Sequence, residues 1–217
     1  MTAGEPLIRW DWVASHVPDI LGRIGEHVVL AGIALSVGLV IAFGLAVLAL
    51  WRPALYAPIV WVTGTMYTIP SLALFALLIP FTGLSLVTAE IGLVSYTLLI
   101  LVRNIVTGIR NVPEDVREGA RAMGYTRAGS FLGVELPLAL PAIVAGIRIA
   151  SVSTIGLVTV TAVIGQGGLG ALILDGLILF FSTPLIVGAV LSVLLAVFVD
   201  AVLAAVQRLA TPWARAR

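Results

Sequence analysis

Val28–Trp51 reads VVLAGIALSVGLVIAFGLAVLALW, 24 residues without one ionisable acid or base. As a helix rising 1.5 Å per residue it is long enough to cross a hydrocarbon core of about 30 Å. The whole chain shares this character. Of its 217 residues 60% are hydrophobic and 11% charged, with a mean hydropathy of +1.16. A soluble domain carries about a quarter charged residues; so few polar groups cannot cover a globule, and the class is integral membrane.

Charge gaps mark further spans. The spacing predicts a second helix over 57–81, a turn at Thr82-Gly83-Leu84-Ser85, a third helix from Leu86 into Val106, a fourth over 138–164 and a fifth over 184–206. The apolar piece 171–181 is interrupted by Asp175 and bounded by glycines and Pro184. It is too short to span and reads as re-entrant or interfacial. The fold class is therefore all-α, with about five transmembrane helices.

Arginine sets the orientation. Arg52, Arg110, Arg117, Arg121, Arg127, Arg208, Arg215 and Arg217 fall on one side, with Arg103 and Arg148 near the same edge. The other side has Arg9 and Arg23, offset by Glu5, Asp11, Asp19 and Glu26. The positive-inside rule puts the amino terminus outside and the carboxyl terminus inside. The first apolar run is too long for a cleavable signal. Residues 1–26, with Trp10 and Trp12, read as an amphipathic segment at the outer interface, 27–207 as the membrane core, 111–137 as a cytoplasmic loop and 208–217 as a cytoplasmic tail.

Several chemistries are excluded. Cysteine is absent, which removes thiolate zinc sites and cysteine nucleophiles. All twelve basic residues are arginine, so a P-loop lysine is impossible and ATP chemistry belongs to a partner. A net charge of +1 offers no face for nucleic acid. Gly165-Gln166-Gly167-Gly168-Leu169-Gly170 fits GxGxxG but lacks the strand–helix context of a dinucleotide site; glycines that let the backbone turn and re-enter explain it better. Asp175 and Asp200 carry no GxGD-type signature, and His16 and His27 precede the first span or sit at its mouth. No catalytic residue, cofactor or metal is expected.

Two helices carry features beyond apolarity. Ala34, Gly38, Ala42 and Ala46 form a small-residue ladder, suited to close helix packing within the chain or on a partner subunit. Thr65, Tyr67, Thr68, Pro70 and Ser71 lie mid-way along the second helix. Pro70 removes a backbone donor, so the polar side chains either heal a kink or line a water-filled path. Arg103 and Arg148 either snorkel to the interface or serve a path or a carboxylate.

The 111–137 loop has a definite internal design. Pro113 suits a first helical turn, Glu114 and Asp115 complement its positive end, and Gly124 suits a left-handed cap. A second short helix can start at Thr126 and run towards Leu136, before Pro137. Glu118-Gly119-Ala120, then Gly124, then Val134-Glu135-Leu136-Pro137 resemble the EAA loop of bacterial ABC importer permeases at every spacing, with Gly119 for the second alanine and Val134 for the isoleucine. Thr68-Ile69-Pro70-Ser71-Leu72-Ala73, Arg103-Asn104, Thr107-Gly108-Ile109, Ala145-Gly146-Ile147-Arg148 and the 164–170 run are similar to the osmoprotectant branch of that family. Methionine-type permeases share related helix motifs.

The resemblance, over roughly residues 27–205, implies a single type I transmembrane domain in a bacterial inner membrane. It implies a second permease copy or sister permease, two cytoplasmic ABC ATPase subunits and an extracytoplasmic solute-binding protein. Glu118, Gly119, Ala120, Gly124, Val134 and Pro137 become the candidate ATPase-coupling residues. Tyr67, Thr68, Pro70, Ser71, Tyr96 and Asn104 become candidate path residues, with Trp61 a further aromatic that is either path-lining or lipid-facing. The implied solutes are quaternary amines such as glycine betaine or choline, with an amino acid as the alternative within the class. A passive channel or membrane scaffold is the alternative outside it.

Overall fold

The computed structural model describes residues 6–215. Glu5 and Arg217, which entered the charge argument, lie outside the described residues, as does the side chain of Arg215. A short helix α1 (Trp10–Ser15) leads into α2 (Val17–Trp51). A tight turn, Pro53–Leu55, opens α3 (Tyr56–Thr68), which is followed by α4 (Ser71–Thr82) and α5 (Leu86–Arg110). Then come α6 (Glu114–Ala122), α7 (Arg127–Ser130), a π turn at Phe131–Glu135, and α8 (Leu136–Val158) running into a 3₁₀ turn at Thr159–Ile164. Helices α9 (Leu169–Ile178) and α10 (Ser182–Ala210) follow, and a 3₁₀ turn at Pro212–Arg215 ends the described chain.

Side-chain register fixes the directions. Leu30, Ala31 and Ala34 pack with Leu93, and Ala42, Ala46 and Ala49 pack with Leu101, Ile105 and Ile109, so α2 and α5 run parallel. The chain must therefore return between them, and α3 with α4 makes the return. Tyr56 lies under Arg110, Tyr67 against Tyr96, Phe75 against Gly92 and Thr82 against Thr88, a walk along the whole of α5 in reverse. Helix α8 runs back along α5, with Ala139 and Ala142 on Gly108 and Gly146 on Asn104. Helix α10 reverses again, placing Asp200 on Arg148 and Gln207 on the Pro141 carbonyl. Among the described residues four stretches are individually long and apolar enough to cross a membrane, and the α3–α4 pair, counted as one broken span, makes five.

Three expectations need correction. The second span is not one helix over 57–81: α3 and α4 meet at 97°. Proline disfavours helical backbone in the residue before it, and both Ile69 (ψ 128°) and Pro70 (ψ 134°) are extended, which turns the expected kink into a full break. The helix that carries the first span does not begin at Val28. Pro18 and Asp19 start α2, and the pairs of Arg23 with Asp19 (3.7 Å) and Glu26 (3.4 Å) carry the helix through the charged stretch. Only α1 remains a separate helix ahead of it. At about 52 Å, α2 is longer than a bilayer core is thick. Lastly, the helix begun at Thr126 does not stop before Pro137; the π turn re-phases the backbone hydrogen bonds and the chain continues into α8.

The small-residue ladder is packed within the chain. Ala34, Ala42 and Ala46 are fully buried, and a Cβ on Gly38 would come within 2.0 Å of Thr97 Oγ1. The 171–181 piece forms the short α9, wedged between α2 and α10. Its glycine-rich lead turns at Gly165 (φ +78°) and Gly168 (φ +42°), where Gly168 sits against the backbone of His27. His27 is buried and its Nε2 lies 2.9 Å from the Ile155 carbonyl. At the same end the Arg9 amide donates to Thr183 Oγ1 (3.0 Å), tying the first described residues to the start of α10.

Candidate functional site: the elbow between α5 and α8

Helix α6 is closed at both ends as its sequence predicts. Pro113 precedes it in extended conformation, and Glu114 and Asp115 occupy its first turn. At the far end the Gly124 amide donates to the Arg121 carbonyl (3.0 Å) and the Tyr125 amide to the Ala120 carbonyl (3.1 Å), with Gly124 at φ +83°. This is a Schellman cap, which satisfies the last helical carbonyls and favours glycine at the left-handed position. Thr126 then caps α7, its hydroxyl accepting from the Gly129 amide at 3.1 Å.

One arginine locks the elbow. Arg117 Nη2 donates to the Ile109 carbonyl at the end of α5 (2.5 Å), and the same guanidinium lies 3.4 Å from Glu114 and 3.4 Å from Glu135 in the π turn. Arg121 also pairs with Glu114. Helix α6 is thus tied back to α5 and forward to the root of α8. Charge-assisted contacts of this kind are among the stronger polar contacts a protein makes.

The candidate coupling residues divide by face. Glu118 is exposed and joins neither Arg117 nor Arg121, both of which are engaged elsewhere. Gly119 is exposed, and a Cβ there would meet nothing within 4 Å. Ala120 is buried (1% exposed), on the side of α6 turned to the protein. Gly124 sits in the exposed cap, while Val134 and Pro137 are half-buried in the π turn and the first turn of α8. The last two shape the elbow from within. Arg117 and Glu135 are the residues sequence reasoning missed as a lock: Arg117 entered only as one of the arginines that set the orientation, and Glu135 only as a member of the motif.

The candidate path residues do not share one surface. Tyr67, Thr68 and Pro70 are exposed at the α3–α4 break, and Ser71 is half-buried there. The Thr68 hydroxyl donates to the Thr65 carbonyl (2.8 Å). Tyr96 is buried, edge-on to Tyr67 with ring centres 5.8 Å apart, and its hydroxyl donates to the Ile69 carbonyl at the break. Asn104 lies inside the α5–α8 contact against Gly146, its Nδ2 donating to the Ile100 carbonyl (2.8 Å). Trp61 is exposed and lines a groove with Tyr67, Thr68 and Arg103.

Residues 34–211 match the family described as binding-protein-dependent transport system inner membrane component. The chain belongs to that family. This permease is 38% identical over 89% of its length to the choline transport system permease protein OpuBB of Bacillus subtilis (strain 168), of which it covers 89%. It is 36% identical, with 89% of each chain covered, to the glycine betaine/carnitine/choline transport system permease protein OpuCB of the same organism. A solved inward-facing structure of the MetNI methionine ABC transporter superposes with a TM-score of 0.80 at 25% identity, covering 88% of the permease and 96% of that chain. The expected class, a multi-pass ABC importer permease with an elbow between its third and fourth crossings, is borne out.

Proposed function

We propose that this permease carries quaternary-amine osmoprotectants of the choline, glycine betaine and carnitine type into a bacterial cell. The similarity to choline and betaine permeases over nearly the whole chain supports this solute class. The transport is driven by two cytoplasmic ABC ATPase subunits gripping the elbows of a permease pair, this chain with a second copy or with a sister permease. An extracytoplasmic binding protein delivers the solute at the amino-terminal side.

The observation that carries the coupling part is the division of labour on α6. Arg117 fastens one face of the helix to α5 and α8, while Glu118 on the next face is exposed. A force applied at Glu118, Gly119 and Gly124 is transmitted to two crossings because the lever between them is rigid. The arginines of that side, Arg110, Arg117, Arg121 and Arg127, support a cytoplasmic elbow by the positive-inside rule. The amino terminus is then outside.

The test is uptake by the reconstituted complex. Labelled choline and glycine betaine enter with ATP, and methionine does not; uptake of methionine alone would transfer the permease to an amino-acid system, the reading favoured by the fold likeness to MetNI. Glu118→Ala combined with Gly124→Asp abolishes ATP-dependent uptake and leaves membrane insertion intact. Normal uptake by that variant overturns the coupling assignment, and solute flux without any ATPase makes the chain a channel.

A further inference from the structure

Between the elbow and the corner joining α2 to α3 lies a recess of about 660 Å³. Arg110, Arg117, Arg121 and Arg127 all line it, against only two carboxylates, Glu114 and Glu135. Arg117 and Arg121 are engaged by those carboxylates. Arg110 lies 4.4 Å over the ring of Tyr56, and neither it nor Arg127 has an anionic partner among the described residues. Two guanidiniums are left facing one cavity.

The recess also has a definite depth. Trp51, the last residue of α2, forms part of its wall, and Tyr125 stands on the elbow side. Tryptophan and tyrosine concentrate where hydrocarbon gives way to headgroups. Leu48, Leu55 and Leu132 are exposed in the segments that flank it. A guanidinium fork binds phosphate oxygens in pairs, and basic pockets at the cytoplasmic mouth of helix bundles take acidic headgroups.

We propose that this recess holds the phosphate of an anionic phospholipid of the cytoplasmic leaflet, bound by Arg110 and Arg127. The lipid bridges the α2–α3 corner and the elbow, so that the lever rests on the membrane as well as on its own salt bridges. Free phosphate shares the charge but not the acyl chains that the flanking leucines accommodate. The proposal rests on the elbow being cytoplasmic, and adds a ligand to it.

The experiment is native mass spectrometry of the purified full-length permease, delipidated and offered phosphatidylglycerol and phosphatidylcholine in detergent. The wild type retains phosphatidylglycerol in preference, and Arg110→Gln/Arg127→Gln binds it about thirtyfold more weakly, the loss expected for two arginines near a membrane surface. Both positions are exposed, so the double variant keeps the fold. Arg23→Gln, at the other end of the bundle, retains as much as the wild type. Millimolar inorganic phosphate leaves the lipid in place. Equal retention by the double variant overturns the proposal, as does replacement of the lipid by inorganic phosphate. Lipid retention is read without any ATPase, whereas coupling is read from uptake, so either reading can fail without the other.

Discussion

Arg148 and Asp200 face each other across α8 and α10 in a two-pronged ion pair, with Nε to Oδ1 and Nη2 to Oδ2 both at 2.8 Å. Gln207 extends the contact, accepting from Arg148 Nη1 (3.3 Å) and donating to the Pro141 carbonyl (3.0 Å). Of the roles the sequence leaves open for Arg148, snorkelling, lining a path or serving a carboxylate, the structure shows the last, with Asp200 of α10 as its partner. In an apolar helix pair an ion without its counterion is costly, while a matched apolar pair is not. Asp200→Asn should lower the melting temperature in detergent clearly, and Arg148→Met with Asp200→Leu should recover most of the loss. Equal melting temperatures for the two variants would show that the charges contribute only bulk.

Tyr96 supplies the donor that the α3–α4 break requires. With Pro70 ending the regular hydrogen-bond ladder, the Ile69 carbonyl takes the Tyr96 hydroxyl. Tyr96→Phe keeps the ring against Tyr67 and removes only that bond. The expected cost is about 1 kcal/mol, seen as earlier unfolding in detergent titrations, with faster hydrogen exchange confined to the end of α3 and the start of α4. Uniform acceleration along the chain would mean that the bond is not local.

Glycines of α2 separate packing from propensity. A Cβ at Gly38 would lie 2.0 Å from Thr97 Oγ1, whereas one at Gly32 meets nothing within 4 Å. Gly38→Val overpacks the α2–α5 contact and should cost about 1–3 kcal/mol. Gly32→Val should be close to neutral. Thermal unfolding of the two variants side by side decides it, and similar losses at both sites would contradict the packing assignment.

How far the fold could be read from sequence depended on whether a feature was local. The crossings were legible because charge is sparse in hydrocarbon: Val28–Trp51 carries none, and most of the charges between the third and fourth crossings cluster in the 111–137 loop. The caps of α6 and α7 were legible because Gly124 and Thr126 act within a few residues. The break at Ile69-Pro70 was visible only as a proline; the hydroxyl that satisfies the Ile69 carbonyl there comes from Tyr96 on another helix. The run-on at Pro137 was hidden by the π turn, and the start of α2 by charges that pair along the helix instead of marking an interface. Arg117 with Glu135, and Arg148 with Asp200, join residues far apart in the chain, where neither periodicity nor spacing speaks.

Opposite substitutions in one short helix make the sharpest test of the elbow. Gly119 departs from the family's alanine, lies exposed in regular helix, and has open space where a methyl group would go. Gly119→Ala should therefore stabilise α6 by about 0.5–1 kcal/mol, since glycine is the poorer helix former. Gly124→Ala places a Cβ at φ +83° and strains the cap that holds the Tyr125 amide on the Ala120 carbonyl. That should cost about 1–2 kcal/mol. Hydrogen exchange of the 114–125 amides should slow in the first variant and quicken in the second, while the amides of α5 and α8 stay unchanged. If the lever transmits force through its rigidity, ATP-driven uptake should fall with Gly124→Ala even though Glu118 remains in place; an undiminished rate would mean that the ATPase needs the surface of α6 but not its stiffness.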